Sequence, residues 1–177
     1  FCKLLSEAIR GKKIFTVTSS RSEFGILKNI IHELSNSQKI NSKLIVTGTH
    51  LESKFGKTIN EINKLKIKNI TKIQINMGKT SSFNSSIIAS DLIIKFNNYF
   101  KKNKPDAIIL FGDRFEILSI ANVCFLHKIP IIHIGGGETT EGSSDESIRH
   151  AVSKLSSFHF VTHEIHKNRL IQLGEEK

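Results

Sequence analysis

Two apolar runs of this chain, Ala107 to Phe111 and Ile131 to Ile134, each give way abruptly to ionisable residues. Asp113, Arg114 and Glu116 follow the first; His133 lies within the second, and Glu138, Asp145, Arg149 and His150 come after it. Carboxylates can take a proton from carbon or return one, and guanidinium forks grip phosphate or carboxylate. Acids and arginines gathered past the ends of two buried strands therefore point to proton chemistry on an anionic substrate.

Each residue also has a plainer role. Asp113, directly after Gly112, is either an N-cap for a helix opening at Phe115 or an acid or base. Asp145 and Glu146 equally complement a helix dipole, and Arg149 has the spacing to pair with Asp145 one turn away. Arg21, in the turn Thr18-Ser19-Ser20-Arg21-Ser22-Glu23, is either a phosphate fork or an exposed neighbour of a capping serine at Ser20 or Ser22. Gly135-Gly136-Gly137 lacks the Gly-x-Gly-x-x-Gly spacing of a dinucleotide site; it implies a backbone that comes close to a ligand or another strand end, delivering Glu138 into the crevice. His133, His150, His159, His163 and His166 do not have zinc spacing, so no metal and no cofactor is expected. Ser119 and Ser147 lack the Gly-x-Ser-x-Gly elbow of an α/β-hydrolase. What favours chemistry is the coincidence of Arg21, Asp113, Glu138, Asp145 and Arg149 at one rim.

That rim requires a parallel sheet. Strands are expected at Lys13 to Ser20, Lys43 to Thr47, Ile70 to Ile75, Ala107 to Phe111, Ile131 to Ile134 and Phe158 to Val161. Helices are expected from about Ser22 to Ser35, Thr58 to Lys64, Ser81 to Asn103, Phe115 to His127, Ser143 to Ser156, and Thr162 to Leu173. Pro105 stops the third helix, Ser143 with Glu146 has capping-box spacing, Thr162 is placed to cap the last helix and Gly174 to end it. Strand–helix alternation gives an α/β doubly wound parallel sheet, Rossmann-like, with ligands at the carboxyl ends of its strands.

Composition narrows the class. The chain has 177 residues, 38% hydrophobic and 24% charged, enough for one globular domain. Lys and Arg total 26 against 16 Asp and Glu, a formal charge of +10 that suits an anionic partner. The lysines are scattered, and one Tyr and no Trp offer little stacking for bases, so a nucleic-acid surface is not expected. No apolar run spans a bilayer, and the first ten residues do not read as a signal peptide. Two isolated cysteines, Cys2 and Cys124, give no disulfide framework and fit a reducing cytoplasm; Cys124 reads as a small buried hydrophobe. The absence of an initial Met implies a chain that begins inside a longer one.

These motifs, in this order, resemble the UDP-N-acetylglucosamine 2-epimerase family from Lys13 to Gly174. Val17-Thr18-Ser19-Ser20-Arg21 and Thr47-Gly48-Thr49-His50 resemble the family's first two strand turns. Gly112-Asp113-Arg114-Phe115-Glu116, Gly136-Gly137-Glu138 and Ser147-Ile148-Arg149-His150 resemble its hydrolysing branch. The resemblance implies elimination of UDP across C1 and C2 of the sugar to a 2-acetamidoglucal, then hydration with inversion at C2, giving N-acetylmannosamine for sialic-acid-type sugars. It implies catalytic roles for Asp113, Asp145 and Arg149, a phosphate contact for Arg21, and further substrate contacts for Arg114 and His133. Many relatives carry an acid where Gly135 stands here, so Glu138 is expected to serve in its place.

The family folds as two α/β domains of GT-B type with substrate between them. This chain stops near the crossing, so it is expected to be the amino-terminal half, one domain over residues 1–177 that folds but turns over little substrate alone. A homo-oligomer is expected only through the full-length enzyme. The alternatives are an epimerase of a related UDP-diacetamido sugar, half of a glycosyltransferase, against which Asp145 and Arg149 argue, and a non-catalytic sugar-nucleotide binding domain.

Overall fold

A computed structural model of the protein describes residues 11–56, 58–77 and 82–176. Cys2 and the amino-terminal stretch read above lie outside the described residues, as does Ser81.

Six parallel strands form one sheet: β1 (Lys12–Thr18), β2 (Ile40–Val46), β3 (Ile70–Lys72), β4 (Ala107–Phe111), β5 (Ile131–Ile134) and β6 (Phe158–Phe160). Their order is β3-β2-β1-β4-β5-β6, all pairs parallel. Among the described residues six α-helices alternate with them: α1 (Arg21–Asn36), α2 (Ile59–Lys64), α3 (Ser82–Lys102), α4 (Phe115–Leu126), α5 (Ser144–Lys154) and α6 (Glu164–Gln172). Two 3-10 turns, Gly48–Leu51 and Ser53–Phe55, fill the loop after β2.

Both faces of the sheet are covered. Phe15, Val17, Ile108 and Leu110 pack with Leu92, Phe96 and Phe100 of α3, Ile117 and Ile120 of α4, and Val152 of α5. The alternate strand residues Leu44, Val46 and Ile109 pack with Phe24, Leu27 and Ile31 of α1 and with Ile62 of α2. Burial on two faces explains why β4 reads Ala-Ile-Ile-Leu-Phe without polar alternation. Cys124 is fully buried among α4 apolar residues, and burial pushes its thiol far up from its ordinary value.

The expected elements form, with shifted ends. β3 stops at Lys72 because β2 ends at Val46; Ile73 donates its N–H to Val46 O, and the chain then runs on without a partner strand. Ile73, Ile75 and Met77 remain buried alternately, which is why the stretch reads as a longer strand. The α6 cap is His163, whose Nδ1 accepts from Ile165 N, and not Thr162. Ser143 caps α5 through Asp145 N; Glu146 reaches Thr140 N instead of closing a capping box. Among the described residues no helix is long and apolar enough to cross a membrane.

Candidate functional site

The strand order reverses between β1 and β4, and the turns after those two strands face each other there, the usual ligand position in such sheets. After β1, Ser20 caps α1 by accepting from Glu23 N, leaving Arg21 as the first helical residue. Arg21 is exposed and pairs with Glu61 of α2 at 3.0 Å. After β4, Gly112 turns the chain at φ +83, so that Asp113 and Arg114 enter the crevice before α4 begins. Arg21 and Arg114 line one cavity of about 430 Å³ with Thr49, Phe55, Met77 and Phe115. A larger cavity, about 610 Å³, lies between Leu126, Pro130 and Ser157 at the opposite ends of the strands.

Asp113 is not a cap: the N-cap residue of α4 is Arg114, with no side-chain capping bond. Its carboxylate instead accepts from Arg149 of α5. Nor does Arg149 turn to Asp145; its other bonds go to Glu138 O at 2.8 Å and Thr140 Oγ1 at 3.0 Å. A single buried guanidinium thus fastens the turn after β4 to the turn after β5. Glu138 meets this anchor through its backbone carbonyl, while its carboxylate accepts from Thr162 Oγ1 at 3.2 Å. Asp145, in the first turn of α5, is near enough to Arg114 to stabilise its charge.

The glycine run has two separate reasons. Gly137 sits at φ +76, and a side chain there would run into the backbone carbonyl of His166 in α6. A Cβ on Gly136 would meet Ser153 Oγ at 2.9 Å. The close approach expected of this run is to α6 and α5, and Arg169 of α6 also donates to Gly137 O.

His133 requires a correction. It was expected to touch substrate, yet it is fully buried with both ring nitrogens used. Nε2 donates to Gly112 O at 2.9 Å, so Nδ1 must accept from Ser153 Oγ at 3.2 Å. Burial pushes its pKa down to about 4, against the bond to Gly112. His133 supports the Gly112 turn from beneath. His50 does the same for the β1 turn, bridging Thr18 Oγ1 (2.9 Å) and Thr58 Oγ1 (2.7 Å), with its pKa also lowered by burial to about 4.

Two acids of the strand-end turns, given no role from the sequence, are buried. Glu116 of α4 is fully buried, with Oε1 on Arg114 at 2.7 Å and Oε2 unpartnered. Glu23 of α1 is buried against Ser19, accepting from its N–H at 2.6 Å and its hydroxyl at 2.8 Å, with Arg114 Nε 3.9 Å away. Burial raises the Glu23 carboxyl above its ordinary range, against those bonds and the arginine charge. For Arg114, burial works against the charge, but Glu116, Glu23 and Asp145 outweigh it and raise the pKa. The signal was present: Glu23 lies four and eight residues before Leu27 and Ile31, and Glu116 before Ile120 and Cys124, on the buried stripes of their helices.

Among the described residues no group of three His, Cys, Asp or Glu side chains is gathered for a metal. The arrangement offers Asp113 salt-bridged to a buried arginine, Asp145 near Arg114, the Glu138 carboxylate on Thr162, and two further arginines lining one cavity.

Comparison with known proteins bears on the family and the fold. The family model for UDP-N-acetylglucosamine 2-epimerase matches residues 32–177. A GDP/UDP-N,N'-diacetylbacillosamine 2-epimerase (hydrolyzing) of Campylobacter jejuni is 43% identical over 166 residues, 94% of this chain and 43% of the relative. Polysialic acid biosynthesis protein P7 of Escherichia coli is 39% identical over 165 residues, 93% of this chain and 42% of the relative. A UDP-N,N'-diacetylbacillosamine 2-epimerase (hydrolyzing) of Legionella pneumophila is 36% identical over 168 residues, 94% of this chain and 44% of the relative. The crystal structure of UDP-GlcNAc 2-epimerase from Neisseria meningitidis bound to UDP-GlcNAc superposes with a TM-score of 0.81 at 26% identity, covering 93% of this chain and 43% of that one. The chain therefore spans about two-fifths of the length of the relatives it matches.

Proposed function

The chain belongs to the UDP-N-acetylglucosamine 2-epimerase family, and from that premise we propose that it is the amino-terminal domain of a hydrolysing epimerase whose substrate is a UDP-linked diacetamido-trideoxy sugar. The observation that carries the chemistry is the Arg149 anchor, which brings Asp113 and the Glu138 turn together at one end of the sheet. The diacetamido sugar is preferred over UDP-N-acetylglucosamine, the substrate the family resemblance implied, because two relatives at 43% and 36% identity are named for diacetylbacillosamine, against 32% for a Neisseria meningitidis relative named for UDP-N-acetylglucosamine.

In this reading one carboxylate removes the C2 proton while the C1–O bond breaks and UDP departs with the bonding pair. Water then bonds to C1 and gives up one proton to solvent, while a second acid returns a proton to C2 on the opposite face. Asp113, Asp145 and Glu138 are the proton-transfer candidates, with Arg149 fixing Asp113. Arg21 and Arg114 face the leaving pyrophosphate, where fixed positive charge favours departure. The part of the chain that follows supplies the remaining contacts, so the isolated domain releases little UDP.

The test is turnover by the full-length protein in heavy water, followed by proton NMR. UDP and a free 2-epimer carrying deuterium at C2, formed faster from the UDP-diacetamido sugar than from UDP-N-acetylglucosamine, meets the proposal. Faster reaction of UDP-N-acetylglucosamine changes the sugar; no UDP release from either sinks the enzymatic reading and leaves a sugar-nucleotide binding domain.

A further inference from the structure

Glu138 does not end the polar chain it belongs to. Its carboxylate accepts from Thr162 Oγ1 at 3.2 Å, and the same hydroxyl lies 3.0 Å from His166 Nδ1. A threonine hydroxyl has one proton, and an ionised carboxylate can only accept. If that proton points at Glu138, His166 Nδ1 must be the donor to Thr162. The order Glu138, Thr162, His166 then has one polarity, each group donating towards the carboxylate. The imidazole is part-exposed, so its far side reaches water.

α6 holds this chain in register with the glycine turn by independent contacts. The His166 carbonyl packs on Gly137, and Arg169 donates to Gly137 O one residue from Glu138. Thr162, His166 and Arg169 thus meet Gly137 and Glu138 along one edge of α6.

We propose that Thr162 and His166 are positioning residues that orient the Glu138 carboxyl and pass protons between it and solvent. The inference rests on the reading of the site as a hydrolysing 2-epimerase. That chemistry makes such a route useful. Inversion at C2 takes a proton off one face and returns one to the other, so each turnover leaves the base protonated and the acid spent. Both must exchange one proton with water before the next substrate. With substrate over the crevice side of Glu138, the side facing Thr162 is the open one. A solvent proton enters at His166 Nε2, the Nδ1 proton moves to Thr162 Oγ1, and the hydroxyl proton moves to Glu138; return of Glu138's proton runs the same steps backwards. His163, whose ring lies 6.1 Å from that of His166, and Arg169 on the same helix are the neighbouring basic groups, and Glu138 is the acid facing them from the glycine turn.

Two measurements on the full-length protein test this. The first needs no turnover: the ring nitrogens of His166 are followed by 15N NMR in wild type, Glu138→Gln and Thr162→Val. With the chain in one polarity the ring proton sits on Nδ1, and loss of either partner is expected to shift the tautomer towards Nε2–H. An unchanged tautomer in both variants overturns the proposal. The second is kinetic. Thr162→Val and His166→Ala are expected to lower kcat by about tenfold or more with little change in KM, and to displace the pH profile of kcat. Thr162→Ser is expected to restore most of the rate, and added imidazole to restore part of it in His166→Ala. Rates within twofold of wild type, or losses that neither serine nor imidazole recovers, overturn the relay. A tautomer that responds to Glu138, in a protein that releases no UDP from either sugar, overturns the functional reading, and the proton supply with it.

Discussion

Arg149 of α5 donates to the Asp113 carboxylate at the end of β4, 36 positions earlier in the chain, while the same guanidinium holds the carbonyl of Glu138. The arginine is buried and the aspartate is partly open to the crevice. An acid held this way has fixed orientation and a face left for chemistry, and the two strand turns cannot drift apart without breaking the pair.

Substitution at Asp113 should therefore separate chemistry from structure. Asp113→Asn keeps an acceptor for Arg149 and removes the ionisable group; in the full-length protein it is expected to lower kcat by about 10²-fold or more with a near-normal fold. Asp113→Ala leaves the buried guanidinium without its counter-charge and should cost about 3 kcal/mol in urea unfolding. Equal stability loss in both variants would mean that Asp113 matters only as an ion-pair partner.

Stability should fall on the acid side through the two buried histidines. Folding lowers His133 and His50 from the ordinary value of 6.5 to about 4, by burial in each case. A histidine pKa depressed by folding means that the native state holds the neutral ring. The associated stability is complete above pH 6.5 and is lost as pH falls from 6.5 towards 4, roughly 3 kcal/mol per group at the acid end. Glu23 runs the other way, because its raised carboxyl favours the fold below its ordinary value. Urea midpoints measured from pH 7.5 to 4.5 should drop steeply, and His133→Asn should flatten the curve. A flat wild-type profile would contradict the burial of neutral rings.

Glycines of similar backbone conformation should respond differently to alanine. Gly112 and Gly137 both have positive φ, at +83 and +76. A Cβ on Gly112 meets nothing within 4 Å, so Gly112→Ala should cost about 1–2 kcal/mol of backbone strain alone. Gly137→Ala adds a collision with the His166 carbonyl and must push α6 off the turn. Its thermal unfolding should be lowered clearly more than that of Gly112→Ala. Equal effects would show that α6 yields freely at this contact.

Much of this arrangement was legible because apolar pattern and strand ends are local properties. β4 and β5 have the bounds expected from Ala107 to Phe111 and Ile131 to Ile134, and the turns after them hold Asp113, Arg114 and Glu138 as the doubly wound sheet requires. What the pattern could not supply was partner choice. Arg149 has the spacing for Asp145 but bonds Asp113, because the turn after β4 brings a second carboxylate within reach. His133 resembles a crevice residue in sequence, yet in a four-residue strand its side chain goes into the layer between Gly112 and Ser153. Glu23 and Glu116 look like acids complementing helix dipoles, and only their register with Leu27 and Ile120 marks them as buried.

The cluster around Arg114 makes the last prediction. Glu116 is fully buried and Glu23 nearly so, and Arg114 is the cation between them, 2.7 Å from one and 3.9 Å from the other. Removing the arginine leaves two acids in low dielectric without a counter-charge, and each can avoid the penalty only by keeping its proton. Folded pKa values raised in this way confer stability at low pH that is lost as pH rises through them. Arg114→Ala should thus be less stable than wild type by about 3 kcal/mol near neutrality, with a deficit that widens from pH 5 to pH 8. Adding Glu116→Gln to Arg114→Ala should recover part of the loss at pH 8 and little at pH 5, because it removes a charge present only in the alkaline range. Arg114→Lys keeps the charge and should show a smaller, pH-independent deficit. A deficit in Arg114→Ala that is the same at both pH values would mean that the two carboxyls are already neutral beside the arginine, and that Arg114 holds its place by hydrogen bonding alone.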